Sequence, residues 1–319
     1  MMSDGLQMLR EAQRVAVVSH VSPDGDTLGS GCALCEALRQ MGKDVVYYCA
    51  SPLPENEAAL PGADAITDDA AQVDGVDVVV AVDCADAGRM GEAADHVGDA
   101  PLLVIDHHGS NPAFGTVNYI RPDAGSTCEI LYDLLVDMDV TMTVDMADCL
   151  YTGIVTDTGR FTYEVTTPHS LRVAAALMEL GCHYEAIAER EFRTRTCGKT
   201  RLIGAALSGM ELTAGNRVAF LTVTQEMLAD TGAVNTDTEG LVNYGIEIDS
   251  VLASCMLYER LDGRWKVSLR GKGACLVDGV AVALGGGGHK YAAGVTLEGS
   301  LAEVKDKLLQ GITAQLGDL

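Results

Sequence analysis

Apolar and polar positions in the first 110 residues follow two periods. Arg14–Ser19, Asp44–Cys49, Asp77–Val82 and Leu102–Ile105 are short runs whose interiors are built from Val, Ala, Leu, Ile and Tyr. Runs that are apolar at both odd and even positions predict strands buried on two faces, hence a parallel sheet. Ala65–Ile66 predicts a shorter strand. Stretches of helical length separate these runs, which predicts βαβ units. The first such helix is expected to be capped by Asp26 or Thr27, to run to about Met41 and to end at Gly42. Beyond residue 110 the pattern turns helical. Ser126 and Glu129 have the spacing of a capping box opening a helix to about Met138. Asp145–Thr156, Pro168–Leu180 and His183–Phe192 predict three more helices, with Pro168 suited to a first turn and Gly181 to a terminus.

These patterns predict an α/β fold in three parts. A parallel-sheet domain with flanking helices covers 1–185, a helical connector 186–216, and a smaller mixed α/β domain 217–319. The last is expected to hold strands at Arg217–Val223, Val251–Tyr258 and Trp265–Leu269 and a helix near Ala302–Gln315. A length of 319 residues makes two domains the default, and 48% apolar residues supply a sizeable core. No apolar run is long enough to span a membrane. The N-terminal residues lack the basic-then-apolar pattern of a signal peptide, so a cytoplasmic protein is expected.

Charge narrows the classes. A net charge of −24 argues against a protein that coats long nucleic acids. Residues 1–185 hold 8 Lys and Arg against 30 Asp and Glu, whereas 186–319 hold 14 against 16. An acidic lobe that spends carboxylates on metals, opposite a lobe with spare cations, suits a small anionic substrate. The ten cysteines are scattered, and Cys32-Ala33-Leu34-Cys35 lies in an expected helix without a second pair at zinc spacing. Reduced thiols follow.

Candidate chemistry sits where the strands end. His20-x-x-x-Asp24-x-Asp26 follows the first strand, Asp83 follows the Val-rich third run, and Asp106-His107-His108 follows the next. Asp157 closes a helix after the sheet. In a parallel sheet the C-terminal strand ends share one edge, so the first three segments converge there. Imidazoles and carboxylates without thiolate suit Mn²⁺ better than structural zinc. Two ions roughly 3.5–4 Å apart form a template for displacement at phosphorus. Holding the pair requires a carboxylate that reaches both, for which Asp83 is the best candidate.

Those four segments resemble the motifs of the DHH phosphoesterase family. Gly286-Gly287-Gly288-His289-Lys290-Tyr291-Ala292-Ala293-Gly294 is similar to the signature of that family's DHH-associated C-terminal domain. The resemblance spans nearly the whole chain. It implies one metal on His20, Asp24 and Asp83 and a second on Asp26, Asp83, His107 and Asp157. It further implies that His108 contacts the substrate phosphate or assists proton transfer, while Asp106 orients an imidazole from behind. Ser268-Leu269-Arg270 resembles a segment that faces nucleotide in the family. Read directly, Gly287, Gly288 and His289 offer backbone N–H groups and a donor for an anion, and Arg270 could pair with a phosphate. Arg190, Arg193, Arg195, Lys199 and Arg201 either line a cleft or form a solvated helix face. Tyr258, Tyr291 and Trp265 are the aromatics nearest the candidate substrate residues.

The expected activity is two-metal hydrolysis of very short oligonucleotides to mononucleotides, with 3′-phosphoadenosine 5′-phosphate as a further substrate. A phosphodiesterase for cyclic dinucleotides or their linear products is the alternative on the same residues. A nucleotide-sensing protein that kept the fold is the alternative from another class. Short oligonucleotides or small nucleotides are the expected partners, without long nucleic acid or membrane. Native metal, direction of attack and oligomeric state, a homodimer included, stay open.

Overall fold

The computed structural model describes residues 2–138 and 140–316, without the side chains of Met2, Ser3 and His289. It contains two compact units, Met1–Thr194 and Arg195–Leu319, whose boundary falls inside the expected connector.

The first unit is built on six parallel strands: β1 (Arg14–Val18), β2 (Asp44–Tyr48), β3 (Ile66–Thr67), β4 (Val78–Val82), β5 (Leu102–Asp106) and β6 (Val117–Ile120). Their order is β3-β2-β1-β4-β5-β6. The helices are α1 (Met2–Glu11), α2 (Gly25–Gln40), α3 (Ala93–His96), α4 (Thr127–Asp137), α5 (Val144–Asp157), α6 (Pro168–Glu179) and α7 (Tyr184–Ala188). α1, which buries Leu6 and Leu9 at helical spacing, and β6 are among the elements added to those expected. Alternate side chains of the strands enter two cores. Val15, Val17, Val78, Val80, Leu103 and Ile105 pack with α2, α4 and α5 on one face. Ala16, Val18, Val79, Ala81 and Val104 pack on the other against Ala70, Val73, Met90 and Ala93. Burial on both faces is the physical reason for the uninterrupted Val and Ile runs.

The strand order reverses between β1 and β4, and open α/β sheets place ligands outside the strand ends at such a point. The chain therefore delivers the residues after β1 and β4 to one crevice. α2 begins there, capped not by Asp26 or Thr27 but by Asp24, whose carboxylate accepts from the N–H groups of both at 3.1 Å. Ser126 caps α4 by accepting from Glu129 N–H, but Glu129 answers to Gly125 N–H and the Ser170 hydroxyl, so the capping box is only half formed. α7 is shorter than the helix expected over His183–Phe192, because the chain widens into a π turn at Glu189–Arg193.

α2 and α5 approach closely through glycines. Gly29 lies against the Cys149 carbonyl. A Cβ on Gly153 would strike the Cys128 sulfur and stand 2.8 Å from Asp26 Oδ1.

In the second unit the strands are β7 (Glu211–Thr213), β8 (Val218–Val223), β9 (Ala253–Glu259), β10 (Trp265–Gly271), β11 (Gly287–His289) and β12 (Ala292–Leu297). They form one mixed sheet in the order β11-β12-β10-β9-β8-β7, parallel only between β8 and β9. Its helices are α8 (Cys197–Ser208), α9 (Gln225–Thr231), α10 (Leu241–Ile246), α11 (Asp278–Ala283) and α12 (Leu301–Leu316). One sheet face packs on α11 and α12, and β8 and β9 pack their other face on α8, α9 and α10. Among the described residues no helix is long and apolar enough to cross a membrane.

The close approach of α2 and α5 sets a measurable cost. Gly153→Ala should lower stability by about 1–3 kcal/mol through overpacking. Gly204→Ala, whose Cβ would enter open space on α8, should raise stability by roughly 0.5–1 kcal/mol. Thermal melts of both variants check this; an unchanged Tm for Gly153→Ala would contradict the packing described.

Candidate metal centre

Every segment expected to supply a ligand reaches the crevice at the β1 and β4 ends. Three donor groups form there: His20 with Asp24 and Asp83, Asp26 with His107 and Asp157, and Asp83 with His107 and His108. His20 Nε2 lies 3.6 Å from Asp24 Oδ2 and 3.4 Å from Asp83 Oδ2. His107 Nε2 lies 3.6 Å from Asp83 Oδ1 and 3.4 Å from Asp157 Oδ2. These separations exceed good hydrogen bonds. Donors that share one ion at 2.0–2.2 Å stand roughly 3–3.5 Å apart, close to what is seen.

Local backbone aims each donor. Asp83 directly follows β4 with φ +59°, left-handed for a residue with a side chain, and its N–H is held by the Ile105 carbonyl at 2.9 Å. Such a conformation costs about 1–3 kcal/mol and persists only where the surroundings fix it. It leaves the carboxylate between His20 on one side and His107 on the other. His20 Nδ1 sits 3.0 Å from the Val21 carbonyl, so Nδ1–H donates there and Nε2 faces the carboxylates. Asp26 is 1% exposed, with its two oxygens on the N–H groups of Thr127 and Cys128 at 2.6 and 2.8 Å. Thr127 Oγ1 also donates to Asp83 Oδ1 at 2.9 Å. The N-terminal turn of α4 thus supports Asp26 with two N–H groups and Asp83 with the Thr127 hydroxyl, at the positive end of its dipole. Behind the cluster, Asp106 Oδ1 holds His108 Nδ1 at 2.7 Å, and Asn111 donates to Asp106 Oδ2 at 2.6 Å.

The electrostatics describe a site short of positive charge. Burial and the neighbouring Asp83 push the Asp26 carboxyl up to about 7. Burial and Asp26 raise Asp157 likewise. Burial opposes charge on His20 and His107, but the surrounding carboxylates outweigh it and lift them to about 10 and about 9. For Asp24, whose side chain is more than half exposed, the His20 imidazole and two backbone N–H groups bring the carboxyl down to about 2. Protons are being recruited where cations belong. Asp24, Asp26, Asp83 and Asp157 carry four negative charges when ionised, which two divalent ions would balance. The imidazole–carboxylate donor set fits such ions, and no thiol joins it among the described residues.

The candidate substrate residues lie in the second unit. Ser268 pairs with Gly294 and Arg270 with Ala292 across β10 and β12, while Gly287 pairs with Gly294 and His289 with Ala292 across β11 and β12. Ser268, Gly294 and Gly287 therefore occupy one row, and Arg270, Ala292 and His289 the next but one. The side chain of His289 lies outside the described residues. The glycine tract departs from an open anion-binding loop: Gly285 turns at φ +85°, and the chain then enters β11 at the sheet edge. Trp265 is buried in the core of its unit and offers no stacking face. In the connector, Arg190 pairs with Glu191 at 2.8 Å and Arg195 donates to Tyr244 at 3.2 Å.

Thr127, Cys128 and Asn111 escaped sequence reasoning. The Ser126 cap carried a signal, since it places unpaired N–H groups at residues 127 and 128. Nothing local marked where they would point.

Known proteins share this arrangement. The DHH family N-terminal domain matches residues 14–154, and the DHHA1 domain matches 215–318. The chain is 34% identical over 308 residues to the bifunctional oligoribonuclease and PAP phosphatase NrnA of Thermus thermophilus, with 95% of this chain and 90% of that one covered. It is 29% identical to a probable enzyme of the same name from Streptococcus mutans, covering 94% of each. The crystal structure of an exopolyphosphatase-related protein from Bacteroides fragilis superposes with a TM-score of 0.92 at 28% identity, covering 98% of this chain and 95% of that one. The chain belongs to the DHH family of phosphoesterases and is a hydrolase.

Proposed function

We propose that this chain hydrolyses short oligonucleotides to mononucleotides and removes a phosphate from 3′-phosphoadenosine 5′-phosphate. Two Mn²⁺ ions would serve as its metals. The convergence of His20, Asp24, Asp26, Asp83, His107 and Asp157 in one crevice carries this reading. The names of the Thermus and Streptococcus relatives support the substrate class.

His20 and Asp24 would hold one ion, Asp26, His107 and Asp157 the other, and Asp83 both. When bound, such ions lower the pKa of a coordinated water from 15.7 toward about 7 and neutralise phosphoryl oxygens. The chain's own residues do the rest. Asp106 fixes His108 through Nδ1, which leaves Nε2 as the atom that exchanges a proton with the departing ribose oxygen. Hydrolysis forms one P–O bond from water and breaks the P–O bond to that ribose, whose oxygen takes the proton. Thr127 and the α4 N-terminus hold Asp26 and Asp83 in place. In the second unit, Ser268, Arg270, Gly287, Gly288 and His289 form the surface assigned to the nucleotide, with Arg270 as its cation.

Two outcomes are expected. Mn²⁺ at about 100 times the Kd of each site should stabilise the metal-free protein by about 2.7 kcal/mol per ion bound, read as a rise in Tm, and Asp26→Asn should remove at least the share of the ion it helps to hold. An equal rise in the variant would exclude Asp26 as a ligand. In the Mn²⁺-loaded enzyme, Asp83→Ala should abolish cleavage of a linear dinucleotide, and the wild type should cleave that substrate faster than cyclic di-AMP. Retained activity in the variant would overturn the two-metal reading, and faster cleavage of cyclic di-AMP would overturn the substrate choice.

A further inference from the structure

Asp157 ends α5, and shortly after it three consecutive residues take left-handed backbone: Gly159 at φ +55°, Arg160 at +61° and Phe161 at +61°. For a bulky residue this conformation is an outlier, and each non-glycine position costs about 1–3 kcal/mol. Contacts on all sides hold it. The Thr158 hydroxyl donates to the Ile154 carbonyl at 2.6 Å and accepts from Phe161 N–H at 3.2 Å. Arg160 N–H returns to the Val155 carbonyl at 2.8 Å. The Tyr163 ring lies where a Cβ on residue 159 would be, and Phe161 packs against the core.

The strained turn sends Phe161 inward and leaves Arg160 exposed, three positions past a carboxylate of the metal cluster. The Arg160 guanidinium carbon stands 5.2 Å from the centre of the Phe192 ring. Phe192 belongs to the π turn, whose Arg190 reaches the Thr152 hydroxyl at 3.5 Å. Thr152 in turn borders Gly25, next to Asp24. Arg160, Phe192 and the cluster therefore gather at the same end of α5. Among the described residues no carboxylate pairs with Arg160, in a stretch where acidic residues outnumber basic ones 30 to 8. Stacking on Phe192 orients the guanidinium without neutralising it.

We propose that Arg160 binds the phosphate seated at the metal cluster, donating to its non-bridging oxygens as negative charge develops there. This rests on the phosphodiesterase reading above. The competing role is a cation at the C-terminus of α5, which would contribute to stability and nothing to turnover.

The test uses the full chain with Mn²⁺ and two substrates, a linear dinucleotide and bis(p-nitrophenyl) phosphate. Arg160→Ala should lower kcat/KM on both by about 100-fold, the effect of losing one donor to a developing oxyanion. Arg160→Lys keeps the charge without the planar fork and should stay at least about tenfold below wild type. Added guanidinium, below denaturing concentration, should restore part of the alanine variant's rate, while Tm and Mn²⁺ stoichiometry match wild type. Arg160→Ala activity within roughly threefold of wild type would overturn the proposal. So would a loss that follows Tm and is not rescued by guanidinium. A wild type inactive on both substrates would overturn the phosphodiesterase reading instead.

Discussion

Four carboxylates brought together against their mutual repulsion set the terms for the first unit. Asp24, Asp26, Asp83 and Asp157 come from a helix cap, a first helical turn, a strand end and a helix end, and they meet within one crevice. Left to themselves they raise the pKa of Asp26 and Asp157 and pull protons onto His20 and His107. The fold holds this arrangement with devices that cost stability elsewhere: the left-handed turn at Asp83, the N–H groups of α4 spent on Asp26, and the glycine contact that lets α5 reach α2. Charge held together at such cost is useful only to a cation.

Asp83 is the hinge of that arrangement. It lies next to both imidazoles that face the remaining carboxylates, and Thr127 fixes it from α4. Its position follows from topology. The sheet reverses its winding between β1 and β4, so the residue after β4 stands beside the residues after β1, and the helix that β1 feeds begins in the same crevice. The strand order is one that also serves dinucleotide-binding proteins, yet the chemistry here is set by Asp and His at the strand ends rather than by the sheet.

Much of this was legible in the chain. Uninterrupted Val and Ile runs announced a parallel sheet, and Asp or His directly after three of them announced a shared edge. Other features depended on contacts distant in sequence. Asp24 rather than Asp26 caps α2 because Asp26 is drawn off to α4, about a hundred residues later. β11 arises from a glycine tract that looks like a loop by itself and becomes a strand only by pairing with β12. Trp265 alternates into the core of its unit. The strained run at Gly159–Phe161 carries no propensity signal, since neither Arg nor Phe favours left-handed backbone.

In the function proposed above, this crevice holds two divalent ions bridged by Asp83. Equilibrium dialysis of the metal-free chain against Mn²⁺ tests it directly. Two ions per chain in the wild type, and one or none in Asp83→Asn, are predicted. A wild type that binds a single ion, or an Asp83→Asn variant that still binds two, would contradict it.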